Sequence, residues 1–156
     1  MLWVFVLAAC TISLAPAYDQ ALVEGLDQAN VETLTLFAAL EGGSPRSKFG
    51  DYEMRYAGVI GRFEALRQRA GQRQIPPLAA RLSRLGPVQH LCATATDPTA
   101  CVNTSPSSLG EVVAVLRQMR DTHRLRDLAA DDVENFRNAY SPAIGQALTV
   151  ENALKR

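Results

Sequence analysis

Three cysteines and two histidines are the side chains of this sequence that could do the most varied chemistry. Cys10 stands inside an apolar segment, Cys92 and Cys101 flank a short polar stretch, and His90 and His123 lie in the second half of the chain. Thiols and imidazoles act as nucleophiles, general bases or metal ligands. No GxSxG, HExxH or CxxCH motif and no phosphate-binding glycine loop accompanies them. We therefore expect no catalytic activity and no cofactor.

Cys92 and Cys101 are separated by eight residues that include the turn signal Asp97-Pro98. A loop of this length can bring two cysteine Cα atoms to the ~5.5 Å that a disulfide requires, and an oxidising compartment would close the bond. The alternative is a metal site completed by His90 and His123. We favour the disulfide and expect no metal, because no CxxC or HxxxH spacing is present and two thiols do not fill a tetrahedral zinc shell.

His123 lies at helical spacing from Leu116 and Met119, so it belongs to the apolar face of a predicted helix. A single histidine in such a position is typical of a packed core or boundary residue. Met119 and His123 cannot both ligate one haem iron, because they lie one turn apart on the same helix.

Arg55, Arg62 and Arg69 are spaced seven residues apart and predict one basic stripe on a helix. The stripe is open to two interpretations. It could contact an anionic surface, such as lipid headgroups, a glycan or an acidic partner. The simpler interpretation is a solvated face that pairs with the acidic residues of the preceding helix.

The first nine residues have no charged side chain, and the run "LWVFVL" ends in the small residues Ala8 and Ala9 before Cys10. Such a segment is typical of a cleaved secretory leader. Leu7-Ala8-Ala9-Cys10 resembles the lipobox of bacterial lipoprotein signal peptides. The family normally carries Lys or Arg before the apolar run, and this chain has none. Either the true start lies upstream of Met1, or the lipobox is a coincidence. The competing interpretation is an uncleaved membrane helix from Leu2 to about Ala17, although it would span only ~24 Å of a ~30 Å hydrocarbon core. A buried helix of a soluble protein is the third alternative, but it would need polar residues on one side, and there are none.

The lipoprotein resemblance implies a signal peptide over 1–9, lipidation of Cys10, a tether over 10–18 and a folded domain over 19–156. It implies a small, uncharacterised type of envelope lipoprotein on the periplasmic side of a membrane. Thr11 after the cysteine, in place of Asp, favours the outer membrane. The resemblance predicts a non-catalytic binding or scaffolding role with an envelope protein as partner. The alternative is an accessory subunit of a membrane complex that keeps its leader as an anchor.

The net charge and the length of the chain limit the possible partners and the number of domains. The formal net charge is zero, which argues against general nucleic-acid binding, because that needs a basic surplus. We find no signature of a small-molecule site. About 147 residues remain after the leader, enough for one domain with its own core.

Helical periodicity runs through the rest of the chain and predicts an all-α antiparallel bundle of four long amphipathic helices plus one short one. The first helix should run from about Asp19 to Glu41 and end at Gly42-Gly43. The second should begin at Ser44-Pro45, with Ser44 as its N-cap. Its apolar residues alternate in steps of three and four and predict a core seam: Phe49, Tyr52, Tyr56, Val59, Phe63, Leu66 and Ala70.

The short third helix lies in "IPPLAARLSRLGP", and we expect Leu78, Leu82 and Leu85 to form its buried stripe. Ser108 and Glu111 predict a capping box that opens the fourth helix. Asp131 and Glu134 predict the start of the last helix, with a kink near Pro142. The first helix is acidic and the second basic, so the pair is predicted to form a charge-matched hairpin.

Overall fold

The structure is a computed structural model that describes residues 14–85 and 98–155. These residues form five α-helices and no strand, which confirms the all-α prediction. The helices are α1 (Gln20–Leu40), α2 (Phe49–Gly71), α3 (Pro77–Leu82), α4 (Ser105–Leu125) and α5 (Ala130–Ala153); 3-10 turns occupy Arg46–Lys48 and Pro98–Cys101.

The four long helices form an antiparallel bundle in which α2 packs against α1 and α4, and α5 packs against α4 and α1. We call the end where α1 and α4 begin and α2 and α5 finish the base, and the opposite end the top. No helix in the described ranges is both long and apolar enough to cross a membrane.

The predicted seam of α2 forms the centre of the core. Tyr56, Val59, Phe63 and Leu66 are buried, whereas Tyr52 is half-buried and packs at the edge. The Phe63 ring meets the ring of Tyr140 on α5 edge to face, with centroids 6.2 Å apart. The steps of three and four residues therefore identified the buried face of α2 correctly.

Asp19 caps α1 and ties it to the end of α2. The backbone N–H of Leu22 donates to Asp19 Oδ1 at 3.1 Å, and Arg69 Nε donates to Asp19 Oδ2 at 2.6 Å. Hydrogen bonding to Arg69 lowers the pKa of Asp19 below its usual value. The first helix thus begins where the sequence predicted.

The predicted N-cap role of Ser44 is wrong, because its backbone is used to close the top of the bundle. Ser44 N–H donates to Leu128 O at 2.8 Å, and Leu128 N–H donates back to Ser44 O at 2.9 Å. Gly43 makes the approach with a φ of 82°, and a Cβ on it would lie 2.6 Å from Leu128 O. The chain therefore stays extended through Pro45 and enters α2 only after the 3-10 turn.

The starts of the last two helices also differ from the prediction. α4 begins three residues before Ser108, at Ser105-Pro106, so Ser108 lies inside its first turn. At α5 the capping carboxylate belongs to Asp132, not Asp131: it accepts from Ala129 N–H at 3.0 Å. α5 continues as a helix through Pro142.

The prediction that the leucines of α3 form a buried stripe is wrong. Leu78, Leu82 and Leu85 are 40%, 37% and 53% exposed, whereas Ala79 and Ser83 are buried. Leu78 and Leu82 do share one face, as their spacing requires, but the short helix ends at Leu82 and turns Ala79 toward the protein. Periodicity identifies a face and cannot say which side of a surface helix the bundle covers.

Candidate functional site: a groove between α1 and α2

The upper half of the α1–α2 pair encloses a groove of about 350 Å³. Leu36 and Val59, both nearly fully buried, lie at its bottom. Gly58 contributes no side chain, and nothing lies within 4 Å of where its Cβ would be. The groove is open because a glycine stands where two helices face each other.

Large apolar side chains line this groove and remain in contact with solvent. Val31 is 63% exposed and Met54 is 80% exposed, although both belong to long helices with well-formed buried faces. Neither residue belongs to the regularly spaced apolar positions that form the buried faces of α1 and α2. A large apolar residue outside such a face is the sequence signal that could have indicated the groove.

The charges around the groove are unevenly matched. Arg62 Nη1 lies 3.1 Å from Glu32 Oε1 across the two helices. Arg55 lines the groove, and its Cζ atom lies 6.0 Å from the centroid of the Tyr52 ring. It forms no ion pair within the described ranges. The groove therefore presents an apolar surface with one cation that has no carboxylate partner.

The arginine stripe predicted from the sequence divides into two parts. Arg62 pairs with Glu32 and Arg69 pairs with Asp19, both on or beside α1. Hydrogen bonding to Asp19 raises the pKa of Arg69 above its usual value. These two contacts fit the charge-matched hairpin. Of the three arginines, Arg55 is the one with its charge still available for an anionic contact.

His123 is fully buried under the top of the bundle, in keeping with a core histidine. Its Nε2 lies 3.3 Å from the carbonyl oxygen of Pro45, and its Nδ1 lies 3.3 Å from Tyr56 Oη. A carbonyl can only accept, so Nε2 carries the proton in the neutral ring and Nδ1 accepts from the tyrosine. Burial raises the pKa of Tyr56. The His123 ring thus fills the core at the top of the bundle, and both of its nitrogen atoms have a partner within the protein, so neither is open to a ligand.

A second buried cluster of polar side chains connects the ends of three helices at the base. Arg73 donates from Nη1 to Glu151 Oε2 at 2.7 Å and from Nη2 to Asn103 Oδ1 at 2.7 Å. Ser105 Oγ also donates to Glu151, whose side chain is completely buried. We call Arg73, Asn103, Ser105 and Glu151 the base network. Its polar atoms are mutually satisfied, which is typical of a structural cluster.

The remaining predicted residues are distributed between the described and the undescribed parts of the chain. Cys10, His90 and Cys92 lie outside the described residues, so lipidation and the Cys92–Cys101 bond stay predictions. Cys101 ends the second 3-10 turn, and Met119 is buried in the core. Residues 14–85 and 98–155 contain no group of three or more potential metal ligands.

Comparisons with protein-family models, with curated proteins and with solved structures return no match.

Proposed function

We propose that this protein is a lipid-anchored envelope lipoprotein that binds or scaffolds a partner protein and has no catalytic activity. The single observation that supports the binding role is the α1–α2 groove, where Val31 and Met54 stay exposed above a buried apolar floor. The Leu7–Cys10 motif supports the anchor. In this proposal Cys10 becomes the lipidated N-terminus and the domain stands on the periplasmic side of the membrane, with the outer membrane favoured by Thr11.

The partner that fits the groove best is an amphipathic helix with an acidic residue. Two parallel walls formed by α1 and α2 accept a third helix, the helix-in-groove mode of peptide recognition. The apolar face of that helix would cover Val31 and Met54, and its carboxylate would meet Arg55. Met54 suits such a contact, because its flexible thioether adapts to irregular surfaces.

We expect a photo-reactive amino acid at Met54 to cross-link, in living cells, to one envelope protein. The adduct should map to an acidic amphipathic segment, and Arg55→Glu in the same protein should reduce it at least tenfold, because repulsion replaces attraction at the rim. Mass spectrometry of the cross-linked peptides provides the measurement. The matched control places the same amino acid at Leu125, which is 71% exposed at the top of the bundle.

Four outcomes would contradict this binding role. The Met54 adduct could join two copies of this chain, it could contain lipid and no protein, or it could be insensitive to Arg55→Glu. Equal labelling of the same protein from Leu125 would also count against the groove, because it would report proximity and not binding.

The alternative function is an accessory subunit of a membrane complex that is held by an uncleaved N-terminal helix. The state of residue 10 separates the two proposals, since it is acylated and N-terminal in the first and internal in the second.

The proposal also includes a bond between Cys92 and Cys101 in an oxidising periplasm. It would close the connection between α3 and α4, which is long for a compact bundle. Such a bond is local, so it would add order to this connection and would not decide the fold.

A further inference from the structure

The exposed face of α3 is apolar although the helix is short and close to the bundle. Leu78 and Leu82 lie one turn apart on the same side of α3, and Leu85 follows in the turn after the helix and is also exposed. The buried side carries Ala79 and Ser83 instead. A helix that turns its leucines to solvent and its small residues inward has a surface that needs a second, apolar environment.

The same helix is basic and has no nearby acid. Residues 65–96 contain five arginines and no Asp or Glu. Three of the five are bound to carboxylates: Arg67 to Glu64, Arg69 to Asp19 and Arg73 to Glu151. Arg81 and Arg84, which alternate with the leucines, have no carboxylate partner in the described ranges. The exposed part of α3 therefore combines leucines with two free positive charges.

This surface lies at the end of the molecule where the N-terminal segment joins the bundle. The Arg69–Asp19 contact places the start of α1 beside the end of α2. α3 begins six residues after Gly71, a connection that reaches at most about 20 Å, so the first residue of α3 lies within that distance of the base. Leu14, the first described residue, is 51% exposed and precedes α1 by a few residues. The first described residues of the chain and the start of α3 thus both lie within a short connection of the base.

We propose that α3 docks on the surface of an anionic phospholipid bilayer. Leu78, Leu82 and Leu85 enter the boundary between headgroups and acyl chains, and Arg81 and Arg84 bind lipid phosphates. Interfacial amphipathic segments use this combination of apolar and basic side chains, and anionic lipids attract each nearby Lys or Arg. The orientation rests on the proposed N-terminal anchor, which would hold the base toward the membrane. The α1–α2 groove would then face sideways, open to a partner in the periplasm.

The test uses the membrane-extracted protein reconstituted in vesicles of phosphatidylglycerol and phosphatidylcholine with brominated acyl chains. Trp3 is the single tryptophan of the chain and is lost if residues 1–9 are cleaved, so Trp3→Phe gives a background without tryptophan emission whether or not the leader is retained. On it, Leu82→Trp reports on α3, and Leu125→Trp reports on the top as a matched exposed control. We expect bromine to quench the Leu82→Trp emission severalfold and to leave the Leu125→Trp emission unchanged. Circular dichroism verifies that both variants are folded.

Charge removal tests the role of the two arginines in the same assay. Arg81→Gln and Arg84→Gln should each lower the ratio of docked to undocked protein about fivefold. Pure phosphatidylcholine vesicles should give the combined loss of about 25-fold without any substitution, because neither arginine then meets an anionic lipid. Quenching that does not depend on lipid charge or on these arginines would overturn the electrostatic part of the proposal.

Unquenched Leu82→Trp emission in anionic vesicles would overturn docking itself. An unquenched but blue-shifted emission would do so as well, because it would mean that a protein surface covers α3. Equal quenching of both reporters would show that the protein has no preferred orientation, against the proposal. The mass of residue 10 in the same sample separates the two hypotheses. If residue 10 is acylated but Leu82→Trp is not quenched, the lipid anchor is supported and the docking of α3 is refuted. If Leu82→Trp is quenched but residue 10 is not acylated, the docking is supported and the lipid anchor is refuted.

Discussion

Phe63→Ala is expected to lower the free energy of unfolding by about 3–5 kcal/mol. Phe63 is completely buried in the middle of α2 and packs edge to face on Tyr140. Truncation removes the transfer free energy of the ring and leaves a cavity that four long helices cannot fill by local movement. Urea denaturation followed by circular dichroism measures the change.

Met54→Ala is the matched control for Phe63→Ala. Met54 lies on the same helix but is 80% exposed, so its truncation should change the free energy of unfolding by less than about 0.5 kcal/mol. A loss below about 1 kcal/mol for Phe63→Ala would contradict the bundle, because the centre of the seam would then not be a packed core.

Arg73→Met is the second substitution with a large expected effect. It leaves the carboxylate of Glu151 buried without its cation, and breaking a buried ion pair in this way costs about 3–5 kcal/mol. Arg73 also satisfies Asn103, so two buried groups lose a partner at once. The loss should appear as a lower urea midpoint with an unchanged slope.

Two further variants separate the base network from ordinary surface pairing. The double variant Arg73→Met with Glu151→Met should recover much of the loss, because it removes both buried charges together. Arg62→Met breaks the half-exposed pair with Glu32 and should cost about 0–1 kcal/mol. If Arg73→Met cost no more than Arg62→Met, the base network would not hold α2, α4 and α5 together.

The core of the bundle follows from the sequence because burial repeats along a helix. Tyr56, Val59 and Phe63 occur at steps of three and four, and these steps alone place them on one face. His123 was identified by the same rule, as a residue one turn from Met119. A long helix packed on several neighbours has little freedom to turn this face away.

The top and the base could not be predicted in the same way, because they depend on partners far apart in the sequence. Ser44 has the chemistry of an N-cap, yet its backbone pairs with Leu128. Glu151 has the chemistry of a surface residue, yet Arg73 holds it in the interior. Local propensity describes each residue alone, and these contacts between distant residues override it.

α3 shows where periodicity loses its predictive value. Leu78 and Leu82 share a face, as predicted, but a helix of six residues has no long interface with the bundle that would force this face inward. The groove was missed for the related reason that Val31 and Met54 break the pattern. In both places the exposed apolar residues are the ones for which we propose a binding role.

The intact mass of the membrane-extracted protein tests whether a lipid anchor at Cys10 holds this bundle at a membrane. We expect a mass equal to residues 10–156 plus acyl groups, with residue 10 as the N-terminus. We also expect Cys10→Ser to abolish the acylated species and to release the protein from the membrane fraction, while the neighbouring Thr11→Ser leaves both unchanged. A mature protein that retains an unmodified Cys10 inside an uncleaved leader would rule out the lipid anchor.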